Sequence, residues 1–223
     1  MQQFHTPAPV STVLDVPAGR IRFIAADRTD TTVEILPVEP SKSRDVKAAE
    51  QIEVAYADGV LRIEAPAAKS RMLGAFGAVE VTVQLPAGSH LEVKAAAAEL
   101  RGVGRLGDVT FEGAQGPVKL EETASARLIV LAGDISVGRL NGRAKISTQK
   151  GDIRITEAVH GAVTLRTEHG DISVGAAHGV SASLDAGTAY GRIRNTLKNT
   201  DGAAADLTLH ATTAYGDVTA HSL

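Results

Sequence analysis

The chain has 223 residues, 43% of them hydrophobic, but only 3% are aromatic and there is no tryptophan. That length accommodates one large all-β domain or two small ones, with an interior built from Val, Ile, Leu and Ala. A net charge of −3 with acids and bases interspersed, no stripe of basic residues in the sequence and few aromatics to stack bases disfavour nucleic acid as a partner, and zero cysteines excludes disulfides and thiolate metal sites.

The N-terminus, MQQFHTPAPVSTVLDV, has neither the basic region nor the apolar run of a secretory signal. No apolar stretch reaches the length of a membrane span. The expectation is a soluble, cytoplasmic protein with no membrane partner.

Residues 1–90 read as a meander of antiparallel strands. Apolar and polar residues alternate over Val10–Val16, Arg20–Ile24, Thr32–Val38, Gln51–Tyr56, Val60–Glu64 and Val79–Leu85. Pro17-Ala18-Gly19 and Pro86-Ala87-Gly88 mark turns, and Asp58-Gly59 predicts a hairpin, because a type I′ turn needs two residues that tolerate positive φ. Ser43–Gln51 is the one helical candidate, of a turn or two. Ser70–Ala78 reads as a mobile loop.

Residues 91–223 take on a period. Glycines at 133, 151, 170, 191 and 216 follow one another at 18, 19, 21 and 25 residues, and Gly107 opens a degenerate copy. Two residues after each stands an aliphatic: Val109, Ile135, Ile153, Ile172, Ile193 and Val218. Before the last four, inward pairs recur as Ala144/Ile146, Val163/Leu165, Leu184/Ala186 and Leu209/Ala211. Small and large residues exchange places between units, as a narrow close-packed interior requires. Asn141-Gly142, His160-Gly161, His178-Gly179 and Asp201-Gly202 mark a second corner. The pattern predicts an all-β fold: a parallel β-helix-like solenoid of short coils, repeating about every 18–25 residues, preceded by the antiparallel meander that packs on or caps it.

Phe4, VLDVPAGRIRFIAAD, DGVLRIEAP and VEVTVQLPAGSHLEV, followed by repeated GDI-type units, resemble the bacterial "putative adhesin" β-strand-repeat family of uncharacterised function. The resemblance covers nearly the whole chain. It implies a β-helix-like body in a bacterial protein and carries no active-site residues.

Four columns are candidates for function. Asp108, Asp134, Asp152, Asp171 and Asp217 follow the repeat glycines; stacked, they could share a hard cation or act as an acid cluster. Asp in such turns more often binds backbone amides, and Arg192 in place of Asp in the fourth unit argues for that structural role. His160 and His178, with His169 and His210 nearby, could supply metal ligands, but each of the first two precedes a glycine as a turn residue would. Thr148, Thr167, Thr188 and Thr213 suit a hydroxyl ladder. The column just before the glycine is Lys150, His169, Tyr190 and Tyr215, a strip of aromatic faces beside a cation and the best binding candidate.

No nucleophile elbow, P-loop, zinc-protease or dinucleotide motif is present in the sequence. No catalytic residue, metal site or cofactor is assigned, and an enzyme is disfavoured. The expected role is a non-catalytic interaction or scaffold protein that binds an unidentified protein partner or self-associates as a homo-oligomer through a sheet face. The alternative is a carbohydrate-active enzyme of the polysaccharide lyase or hydrolase kind, whose acids would converge in a groove.

Overall fold

The computed structural model describes residues 1–66 and 77–223, so positions 70–76 of the expected loop lie outside the described residues. In chain order come β1 (Gln2–His5), β2 (Ser11–Asp15), β3 (Ala18–Ala26), β4 (Asp30–Pro37), α1 (Ser43–Gln51), β5 (Glu53–Ala57), β6 (Val60–Glu64) and β7 (Val79–Pro86). Two long strands follow, β8 (His90–Gln115) and β9 (Val118–Ala132). The repeats then give β10 (Ile135–Leu140), β11 (Ala144–Lys150), β12 (Ile153–Ala158), β13 (Gly161–Arg166) and β14 (Ile172–Ala176). Last come β15 (Ala182–Tyr190), β16 (Ile193–Thr196), β17 (Leu207–Tyr215) and β18 (Val218–Ser222).

These strands stack in two parallel columns, as a solenoid does. One column runs β6, β2, β8, β9, β11, β13, β17, β15; the other runs β7, β3, β8, β9, β10, β12, β14, β18, β16. Long β8 and β9 contribute a segment to each column. Among the described residues the N-terminal segment is antiparallel only at β1–β4, β4–β7 and β5–β6. β2 lies parallel to β6 and β8, and β3 parallel to β7 and β8, so these strands continue the stack and the meander expected over residues 1–90 is partly solenoid. The echoed Pro17-Ala18-Gly19 and Pro86-Ala87-Gly88 each fall where one strand of the stack passes into the next, β2 into β3 and β7 into β8. Asp58 (φ 51°) and Gly59 (φ 77°) form the expected turn of the β5–β6 hairpin.

Stack order departs from chain order at both ends. β2–β3 lies between β6–β7 and β8. At the other end β17–β18 lies between β13–β14 and β15–β16, so β15–β16 is outermost although β17–β18 comes last in the chain.

The core is a continuous aliphatic column between the two sheets. Ile135, Ile153, Ile172 and Val218 are buried, as are Ile146, Val163, Leu165 and Leu209. Each such side chain contributes about 1.5–3 kcal/mol on leaving water. The outermost coil breaks the series: Ile193, at the same repeat position, is 46% exposed, and Leu184 and Ala186 are only partly covered.

Candidate functional site: an aromatic ladder at the open end

The repeat glycines form one line through Gly133, Gly151, Gly170, Gly216 and Gly191. At Gly151 (φ +141°) and Gly170 (φ +149°) an added Cβ would stand 2.3 and 2.1 Å from the glycine carbonyl of the coil before. Glycine is required there both for its backbone conformation and for the approach of the next coil. Gly107 does not belong to this line. Val109, two residues after it, pairs with Ala126 in the other column, whereas Val118 pairs with Ile135, which makes Gly116 the true equivalent. Gly116 (φ +126°) precedes Pro rather than Asp, which hid it in the sequence.

The Asp column is tied into the backbone. The amide of Asp152 donates to Asp134 Oδ1 (2.9 Å), that of Asp171 to Asp152 Oδ1 (2.8 Å), that of Asp217 to Asp171 Oδ1 (2.7 Å) and that of Arg192 to Asp217 Oδ1 (2.9 Å). Arg192 therefore ends the column instead of interrupting it, and its Nε lies 3.7 Å from the Asp217 carboxylate. Asp108 stands apart, accepting from the Ser125 hydroxyl at 2.6 Å. The threonines do not bond one another. Thr167, Thr213 and Thr188 each donate at 3.0 Å to the glycine carbonyl of the adjoining coil, at Gly151, Gly170 and Gly216. Among the described residues no three His, Asp or Glu side chains are grouped to hold a metal ion. His160 and His178 are exposed corner residues, and His210 faces Asp185 at 3.2 Å.

The residues just before the glycines come together. Lys150 bridges to His169 and His169 to Tyr215, and Tyr215 pairs with Tyr190. The His169 and Tyr215 rings stack at 4.9 Å and 10°, the Tyr215 and Tyr190 rings at 4.9 Å and 5°. That spacing is the distance between neighbouring strands, so backbone register imposes the near-parallel faces. Tyr215 is 51% and Tyr190 67% exposed. The ladder thus runs along the surface to the outermost coil, where the second face of Tyr190 meets no further ring among the described residues.

Beside Tyr190 the solenoid is open. Among the described residues β15 pairs as a strand only with β17 and β16 only with β18. On the far side of β15 the Ala182 amide donates to the Lys198 carbonyl at 3.0 Å, and no further strand among the described residues covers the rest of either edge. At the opposite end β5 covers β6, and β4 with β1 covers β7.

A family model described as Toastrack DUF4097 matches residues 12–222. The chain belongs to this family. No curated protein matches it. Among solved structures, the chain is similar to a "putative adhesin" from Bacteroides fragilis, 16% identical, with a TM-score of 0.50 over 98% of this chain and 95% of that one. A "putative adhesin" from Parabacteroides distasonis is 16% identical at a TM-score of 0.47, covering 100% and 95%. A "putative lipid binding protein" from the same species is 10% identical at 0.44, covering 98% and 95%. At such identities the likeness is one of fold, and that to the Bacteroides fragilis structure agrees with the all-β solenoid of this Toastrack chain.

Proposed function

We propose that the protein is a non-catalytic interaction scaffold that associates with a second copy of itself, end to end, through its outermost coil. The observation that carries this is the open end: two strand edges that no further strand covers among the described residues, around the half-exposed Ile193, with Tyr190 at the rim, opposite an end covered by antiparallel strands. Unprotected edges are avoided by soluble proteins unless something pairs with them. A second copy brings an identical edge, and a two-fold arrangement closes the assembly after one contact, with antiparallel strand pairing. Lys150, His169, Tyr215 and Tyr190 form the strip that would border the joint.

The enzymatic alternative has less support. Its acids would need to converge in a cleft, whereas the Asp column is spread one residue per coil, with one carboxylate oxygen of each of Asp134, Asp152, Asp171 and Asp217 engaged by an amide.

Size-exclusion chromatography with light scattering tests the proposal. The wild-type chain should run as a dimer, and Ile193→Glu or the pair Tyr190→Ala with Tyr215→Ala should shift it toward monomer with an unchanged circular dichroism spectrum. A wild-type monomer at high concentration, or variants that remain dimeric, would contradict it.

A further inference from the structure

The second column of strands carries an outward line of residues that no stretch of sequence displays. Arg22 is in register with Arg101, Arg101 with Lys119, Lys119 with Ser136, Ser136 with Arg154, and Arg154 with Ser173. Thr219 and then Arg194 continue the line to the outermost coil. Eight strands at about 4.8 Å spacing carry it over roughly 34 Å. Every member is a cation or a hydroxyl, and none is an acid. The four arginines and the lysine are exposed, and among the described residues none of the five is in a salt bridge.

Like charges directly opposite on neighbouring strands destabilise a sheet, yet Arg22, Arg101 and Lys119 follow one another without relief. On either side of that basic stretch charges alternate. Glu80 faces Arg20, which faces Glu99; Arg105 faces Glu122, then Arg139, then Glu157. Arg139 and Glu157 form a salt bridge. Around Arg22, Arg101 and Lys119 the sheet therefore pairs charges beside the line and not along it, a cost that a bound anion would offset. Further along, Asp134, Asp152, Asp171 and Asp217 run beside the line, one oxygen of each held by an amide.

We infer that this line binds an acidic polysaccharide, a linear polymer bearing carboxylate or sulfate groups together with hydroxyls. Acids stand beside the middle of the line, with Glu99, Asp134, Asp152, Asp171 and Asp217 two residues before Arg101, Ser136, Arg154, Ser173 and Thr219, and Glu121 two residues after Lys119, whereas Arg20 and Arg192 stand two residues before Arg22 and Arg194. A flat anionic membrane or a broad duplex would press against those carboxylates, whereas a single extended chain follows the line without covering them. The interleaved Ser136, Ser173 and Thr219 offer donors and acceptors to sugar hydroxyls. No aromatic residue stands in the line to stack bases, as single-stranded nucleic acid binding requires. A shallow concavity of about 340 Å³ beside Arg101, Lys119, Ser136 and Gly138 gives the chain a seat at the most basic stretch.

This inference concerns a sheet face, not the open end, so it stands or falls apart from self-association. Calorimetry on the full chain with polygalacturonate and with dextran sulfate, neutral dextran serving as blank, tests it and distinguishes the two acid groups. Binding to at least one acidic polymer, weakening with salt, is expected. Arg101→Glu with Lys119→Glu should lower the affinity by about tenfold or more. Arg127→Glu with Lys145→Glu, the same change of charge on the other column, should leave it near the wild-type value. Absence of binding, equal loss in both pairs, or equal affinity for polyglutamate, oligo-dT or anionic vesicles would overturn the assignment. Circular dichroism of both pairs confirms that the fold is retained.

Discussion

At the residue scale the coil-to-coil contacts are a set of small, repeated requirements. Gly170→Ala places a Cβ where the Gly151 carbonyl already stands, at φ +149°. We expect a loss of at least about 1–3 kcal/mol from the backbone conformation alone, read as a lowered denaturant midpoint. Asp152→Ala removes the acceptor for the Asp171 amide and should cost about 1 kcal/mol, while Asp152→Asn, which keeps an acceptor oxygen, should cost clearly less. If the two Asp152 variants were equally destabilised, the charge and not the hydrogen bond would be the operative feature. These columns were legible in the sequence because each coil repeats the same local demand. Gly107 and Asp108 misled for a related reason: they copy the Gly-Asp spelling, but they sit at the other corner, and the equivalent Gly116 is followed by Pro.

Individual strands were equally legible from alternation, and Ser43–Gln51 forms the nine-residue helix α1. What alternation cannot encode is which strand lies next to which. A parallel pair has no hairpin to fix its neighbour, so the insertion of β17–β18 between β13–β14 and β15–β16 left no trace in spacing. It has a consequence. Among the described residues β15 has β17 as its one strand neighbour, so damage to β17 should be felt outward. Leu209 is fully buried, and Leu209→Ala should cost about 2–5 kcal/mol. Hydrogen exchange in that variant should accelerate in β15 at least as much as in β13, which keeps β11 as its second neighbour. Acceleration confined to β13 would contradict the stacking order.

At the scale of the whole molecule, net charge and composition described an average that the fold redistributes. Cations scattered from Arg22 to Arg194 become one line, and tyrosines 25 residues apart become neighbours against His169. The same stacking leaves one end covered and the other open, and the open end is what the account of function rests on. Hydrogen exchange of β15 measured across a range of protein concentrations is the most direct test. If two copies pair at their outermost coils, amides on the free edge of β15 become protected as concentration rises, while those of β5 at the covered end do not change. Exchange in β15 that is independent of concentration would contradict end-to-end association.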